Sequence, residues 1–216
     1  GDDFIDGNAG TDTVFYDGLI TISSIVDPVT MLSTGFSVSA GAEGIDTLVN
    51  VEKVVSGTQT FLLVGNGGYA TLQDAIVAAD EGDTIVVSAG VVTSGDLTIS
   101  KNDLTILGAQ FDTLGSDDSR LNTADNSAES LLMGRVTISG SGVTLAGFKQ
   151  EFNSANPISS VSTSSAILVS GANVTVENNV ILRSEGLVGD VVVGVRVQGV
   201  GARFGKLSSN FPIRDE

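Results

Sequence analysis

The feature that most constrains this chain is a phrase it repeats. Residues 97–108 read L-T-I-S-K-N-D-L-T-I-L-G, residues 136–147 read V-T-I-S-G-S-G-V-T-L-A-G, and residues 167–178 read I-L-V-S-G-A-N-V-T-V-E-N. Superposed, Leu97, Val136 and Ile167 coincide, as do Ile99, Ile138 and Val169, then Leu104, Val143 and Val174, then Ile106, Leu145 and Val176. Ser100, Ser139 and Ser170 align as well, and a fainter fourth copy begins at Val195 with V-R-V-Q-G. Each copy is two short apolar-x-apolar segments split by turn residues, the period of a strand with one buried face. Such strands are too short to bury that face alone, so repetition predicts copies stacked into one continuous β-solenoid. The competing reading is an antiparallel sandwich with chance similarity. The copies begin 39 and then 31 residues apart (97 to 136, 136 to 167). The excess, at about 109–135 and 148–166, is therefore expected to leave the stack as side loops.

Composition narrows the chemistry. Apolar residues make up 41% of the chain but aromatics only 5%, with 27 glycines. That suits a Val/Ile/Leu core with many tight corners and not a disordered chain. Cysteine and histidine are both absent, which removes disulfides, Ser-His-Asp triads, cysteine nucleophiles and the common zinc sites. The formal charge of −16 leaves no basic patch to displace counterions, so nucleic acid is excluded as a partner and an anionic membrane surface is disfavoured. No apolar run is long enough for membrane insertion, and targeting is not read from the first residues, which fall inside a motif. Such acidity fits a cation-rich extracellular setting or simply a soluble surface.

The chain opens on G-D-D-F-I-D followed by G-N-A-G-T-D-T-V-F. The second group fits the nonapeptide G-G-x-G-x-D-x-(apolar)-x, with Asn8 in place of the second glycine. Gly1 and Gly10, Asp3 and Asp12, and Ile5 and Val14 are each nine residues apart. Glycines permit positive-φ corners, the apolar residue faces the core, and the Asp carboxylate faces outward where it can join carbonyls around Ca²⁺. This pattern resembles the RTX (haemolysin-type calcium-binding) repeat. The resemblance implies a calcium β-roll, with Asp3, Asp12, Gly1 and Gly10 as metal ligands and bacterial type I secretion to the extracellular space or cell surface. Because residue 1 falls inside the motif, a longer parent protein is expected, whose flanking regions extend the stack.

Residues 16–64 read as a small β unit closing that roll. Leu19–Ser23 and Phe36–Ser39 alternate, and Asp27-Pro28 marks a turn between them. The segment G-I-D-T-L-V-N-V-E-K-V-V at 44–55 is similar to one that often follows RTX repeats. Asp46, Asn50 and Glu52 are either further calcium ligands or polar positions alternating with buried Leu48, Val51 and Val54, and the alternation is preferred.

At Gly65-Asn66-Gly67-Gly68 the composition breaks, which places a boundary there. Thr71 is then a good N-cap with Asp74 three residues on, and Leu72, Ala75, Ile76 and Ala79 form one apolar helical stripe. Gly82 ends a helix expected at about 71–80, whose role is to cover the open end of the stack. This helix, the strand G-D-T-I-V-V, the repeats, and V-T-V-E-N-N-V-I at 174–181 resemble the right-handed parallel β-helix of pectin-lyase-like proteins. Asn178 or Asn179 is expected at a corner where stacked amides form ladders.

The expected architecture is thus all-β. Partial RTX repeats occupy 1–15, a small β unit 16–64, and a helix-capped right-handed parallel β-helix 65–216. The fold serves many functions, and the residues lean away from an enzyme. The candidates for a polysaccharide lyase or uronate C5-epimerase fragment are Arg135, Lys149, Arg183 and Arg196 with Glu151, Glu177, Glu185 and Asp190. Arg183 with Glu177 or Glu185 is the best grouping, and ordinary solvent-facing residues and surface ion pairs are the preferred account of them. Asp117, Asp118 and Asp125 are the acids a glycoside hydrolase would draw on, but they fall in an expected loop. The preferred function is a secreted, calcium-binding structural or adhesive module facing a polysaccharide or cell-surface glycan.

Overall fold

The computed structural model describes residues 1–30, 32–121, 126–152, 165–183, 193–205, 208–209 and 213–215. Among these the chain is all-β apart from two short helices and a single 3-10 turn. In chain order, β1 (Phe4–Asp6) and β2 (Thr13–Tyr16) precede a hairpin of β3 (Thr21–Val26) and β4 (Ser33–Ser39), followed by β5 (Ile45–Val49), β6 (Lys53–Ser56) and β7 (Gln59–Val64). Helix α1 (Leu72–Ala78) leads to β8 (Thr84–Val87). Next come β9 (Val92–Ser94), β10 (Leu97–Ile99), β11 (Thr105–Leu107) and the short helix α2 (Asp118–Leu121). Then follow β12 (Ser130–Met133), β13 (Val136–Ile138), β14 (Thr144–Ala146), β15 (Phe148–Phe152), β16 (Ser165–Val169) and β17 (Thr175–Glu177). The remainder is β18 (Val180–Arg183), β19 (Val193–Val197), β20 (Arg203–Gly205), β21 (Ser208–Ser209) and β22 (Ile213–Asp215).

From Val92 onward the chain visits three sheets in rotation. Strands β9, β12, β15, β18 and β21 form one sheet, β10, β13, β16, β19 and β22 a second, and β11, β14, β17 and β20 belong to a third. Every pairing in these rounds is parallel. The register is that of the sequence repeat: Leu97 pairs with Val136, Val136 with Ile167 and Ile167 with Val195. Ile106, Leu145, Val176 and Phe204 likewise follow one another. Among the described residues, antiparallel pairing is confined to β3–β4, β4–β5 and β6–β7. Period-2 alternation explains the register, because a slip of one residue would turn each apolar row outward. Leu104, Ile106, Ile138, Val143, Leu145, Val169, Val174 and Val176 are all fully buried in one cluster.

The corners repeat too. The amides of Ser139 and Gly140 both donate to Ile99 O, those of Ser170 and Gly171 to Ile138 O, and those of Gln198 and Gly199 to Val169 O. A Cβ at Gly140 would overlap the carbonyl oxygen of Lys101, one at Gly171 that of Gly140, and one at Gly199 that of Gly171. The first copy carries Lys101 at this position because α1, and no earlier round, lies against it. Its ammonium donates to the Val77 (2.7 Å) and Ala79 carbonyls at the helix C-terminus. Thr71 caps the other end, accepting from the Asp74 amide at 3.0 Å. Leu72, Ala75, Ile76 and Ala79 bury the expected stripe against the main cluster.

The N-terminal part forms a second core. Strands β1 and β2 lie in different sheets, and β5 and β6 pair with them in parallel, so residues 45–56 lie alongside 4–16. Strands β1-β5-β4-β3 face β2-β6-β7-β8 across Tyr16, Ile22, Phe36, Val38, Leu48, Val51, Val54, Leu63 and Val86. The eight-stranded sheet β2-β6-β7-β8-β11-β14-β17-β20 runs continuously across Gly65–Gly68, where the sequence places a boundary. Strands β7 and β8 are its shared wall: Leu62, Val64, Ile85 and Val87 face one core, while Leu63 and Val86 face the other. Burial on both faces accounts for the unbroken apolar runs F-L-L-V and T-I-V-V.

Candidate functional site

The backbone of the N-terminal motif is bound by carboxylates of the segment paired alongside it. The Asp3 amide donates to Asp46 Oδ1 at 2.9 Å and the Asp12 amide to Glu52 Oε2 at 2.6 Å. Asp46 also accepts the Tyr16 hydroxyl at 2.8 Å. Burial, followed by the hydrogen bond to and charge of Asp46, pushes the Tyr16 phenol above its ordinary range. Asp6 accepts Asn50 Nδ2 at 2.7 Å and the Asn8 amide at 2.9 Å, and these bonds, Asn50 first, hold its carboxyl below the usual range. Asn8, standing where the motif has glycine, adopts φ +63°, and Gly10 adopts φ +143°. Asparagine is the residue that best tolerates that left-handed region after glycine. Leu48, Val51 and Val54 are buried between the polar positions of this segment.

Asp3 and Asp12 precede strands of different sheets, β1 and β2. Among the described residues, no three carboxylates gather to hold a metal ion. Asp12 Oδ2 is nevertheless buried without a hydrogen-bond partner, the state of an oxygen suited to a cation. Gly1 is exposed and its ammonium donates to the Glu43 carbonyl at 2.7 Å. The residues therefore fit calcium in part, with one orphaned carboxylate oxygen at Asp12.

The expected catalytic grouping is divided between strands of two sheets. Glu177 ends β17, in register with Ala146 and Gly205, whereas Arg183 ends β18, in register with Phe152 in a different sheet. The corner Asn178–Asn179 separates them. Glu185 lies outside the described residues, as does Asp125. Asp117 accepts the Ser119 hydroxyl and amide, 2.6 and 2.9 Å away, which lowers its pKa.

Charged groups do gather at the segment between β11 and β12, which covers the outer face of β15. Arg120 and Glu129, 2% and 3% exposed, form a two-point ion pair: Nε to Oε1 and Nη2 to Oε2, both 2.9 Å. The same guanidinium donates to the carbonyls of Thr113 (3.1 Å), Phe148 (3.2 Å) and Asn178 (2.6 Å). All five of its N–H groups are thereby used. Next to it, Lys149 is 1% exposed and donates to Asn126 Oδ1 at 2.7 Å, with Glu151 Oε1 at 3.2 Å. At the corner the asparagines bind backbone and not one another. Asn179 accepts the Phe148 amide and donates to Leu145 O, both 2.9 Å, and Asn178 donates to Phe111 O at 2.7 Å. The amide ladder expected there is thus replaced by side-chain bridges to the preceding round.

Sequence reasoning names Lys149 and Glu151 only among outward-facing lyase candidates and does not bring them together with Arg120, Glu129 and Asn126. The alternation Phe148, Gln150, Phe152 marks Lys149 and Glu151 as outward, and outward charge reads as solvated. Their burial depends on the segment that folds over them, which carries no periodic signal. Compared with known proteins, the chain matches no family model, no curated sequence and no solved structure.

Proposed function

We propose that this chain is a structural and adhesive module of a larger extracellular protein, built as a right-handed parallel β-helix on the end of an RTX β-roll. The observation that carries the reading is the unbroken parallel register through three sheets, with the side segment fastened to it by a buried arginine. Stacked rounds make a stiff, extended flank. On that flank Thr84, Thr105, Thr144 and Thr175 follow one another in register, a straight row of hydroxyls about 4.8 Å apart that suits a polysaccharide. Lys101, Arg120 and Lys149 serve internal clamps, which favours a scaffold over a catalytic groove. Calcium belongs to the β-roll, where Asp12 and Asp3, with the Gly1 and Gly10 carbonyls, are the ligands of this reading, and secretion follows from the same resemblance.

The test is calorimetric titration of the protein with alginate and pectate, with calcium and with chelator, followed by proton NMR of the polysaccharides. Saturable binding without new unsaturated ends or an altered uronate ratio is the expected result. Modified polysaccharide would overturn the scaffold reading in favour of a lyase or epimerase. No binding to either would overturn the polysaccharide role. Calcium heat that persists in Asp12→Asn would remove Asp12 from the ligand set.

A further inference from the structure

Beneath the segment between β11 and β12, three side chains form a triangle. Lys149 Nζ is 2.7 Å from Asn126 Oδ1 and 3.2 Å from Glu151 Oε1, and Asn126 Nδ2 is 3.3 Å from that same Glu151 oxygen. A primary amine is thus held against a primary carboxamide, with one carboxylate touching both the attacking nitrogen and the departing one. The Lys149 side chain is 1% exposed, while Glu151 is 28% exposed and Asn126 half-buried, so the amine is held inside and the carboxylate keeps an outlet for protons and the departing ammonia. A hydrogen-bonding role alone would be met by any donor; this arrangement sets a nucleophile, an electrophile and a proton carrier in reach of one another.

We propose that the triangle is a self-modifying site, at which Lys149 and Asn126 join through an isopeptide bond. Glu151 takes a proton from Lys149 Nζ and frees its lone pair. Nζ then adds to Asn126 Cγ, forming a new C–N bond while the carbonyl electrons move onto Oδ1. Collapse of this adduct breaks Cγ–Nδ2, and the bonding pair leaves on nitrogen, which receives the proton from Glu151. The second proton lost by Nζ follows the same carboxylate, so the departing group ends as ammonium and Glu151 is regenerated. One ammonium side chain and one carboxamide give one secondary amide and one ammonium ion, with no oxidant or cofactor. Amides are inert to amines in water, but positioning within one molecule raises effective concentrations by about 10⁵–10⁸ M in well-oriented cases. The bond would staple the covering segment to β15 in a chain with no cysteine, where a disulfide cannot serve. This inference goes beyond the scaffold reading and stands without it.

Mass spectrometry of the purified full chain decides the matter. The expected mass is one ammonia below that of the sequence. Trypsin is expected to spare the bond after Lys149 and to release residues 121–135 joined to residues 136–183 as one branched peptide. Lys149→Arg and Glu151→Gln are expected to keep the full sequence mass while retaining the wild-type circular dichroism. A wild-type chain of full mass, with peptides 121–135 and 136–149 released separately, overturns the proposal. So does an ammonia loss that maps to Asn66-Gly67, where succinimide formation gives the same mass change. A branched peptide that persists in Glu151→Gln removes the carboxylate from the mechanism. If a variant fails to fold, the wild-type peptide map still decides.

Discussion

Replacing Arg120 by Met is the sharpest test of how the covering segment is held. The substitution keeps an unbranched apolar stem but removes all five hydrogen bonds. Glu129, 3% exposed, loses both partners, and the Thr113, Phe148 and Asn178 carbonyls lose a donor. Removing one member of a buried pair costs about 3–5 kcal/mol, because the remaining charge is left uncompensated in the interior. The double variant Arg120→Met/Glu129→Leu removes that charge and leaves only the carbonyls, worth about 1–3 kcal/mol together after partial rehydration. The double variant is therefore expected to be more stable than the single one, by about 2 kcal/mol. Urea unfolding followed by circular dichroism measures this, with hydrogen exchange at the Gly90, Leu121 and Glu129 amides, whose carbonyl partners are Glu129, Asp117 and Asn126, reporting local release. The comparison is made in a Lys149→Arg background so that a covalent staple does not mask it. A single variant within 1 kcal/mol of its parent, with exchange unchanged, would refute the reasoning. A double variant no better than the single would show that the unpaired charge is not the cost.

Three further outcomes follow from the geometry. Gly171→Ala drives a Cβ into the Gly140 carbonyl of the preceding round and should cost about 1–3 kcal/mol or more; Gly95→Ala, where the space is open, isolates the effect of positive φ alone, and both are read by thermal melts. Because folding raises the Tyr16 pKa, its contribution is complete below the unfolded tyrosine value of about 10 and is lost as pH climbs beyond it. Wild-type stability should therefore fall above pH 10 more steeply than that of Tyr16→Phe, by at most about 1.4 kcal/mol per pH unit, in urea titrations at matched pH. Asn50→Ala removes the principal cause of the depressed Asp6 pKa, so the carbon-13 carboxyl titration of Asp6 should move up toward the ordinary aspartate midpoint; an unmoved midpoint would show that the Asn8 amide suffices.

Two of the three sheets of the rounds were legible because their strands are written in a local code; the third was not, since β12 and β15 fall in stretches expected to leave the stack as side loops and instead pair within it. Alternation assigns Ile99, Ile138 and Val169 to one row, and the three-residue corners after Ser100, Ser139 and Ser170 fix the spacing, so superposing the copies gives the register directly. Helix α1 was legible for the same reason, through its cap and stripe. The union of the two cores was not. Nothing local tells that Leu63 and Val86 turn toward Phe36 and Val38, or that residues 45–56 pair with 4–16. Those pairings join segments some forty residues apart, and only the hydrogen bonds of Asp46 and Glu52 to the Asp3 and Asp12 amides reveal why acids recur at those positions. The β-roll motif was read for its side chains as ligands, whereas its neighbours use theirs first to satisfy backbone.

The charged residues of the rounds carry the wider argument. A basic side chain beside an acidic one on a parallel β flank invites an enzymatic reading, yet Arg120 and Lys149 are among the most deeply buried residues of the chain, and Lys101 caps the C-terminus of α1. A groove that works on a polymer needs such groups accessible. Here the segment between β11 and β12 closes over β15 and spends five donors of one guanidinium on holding itself there. That same closure brings the buried Lys149 amine against Asn126 and Glu151, the arrangement on which the proposed bond rests.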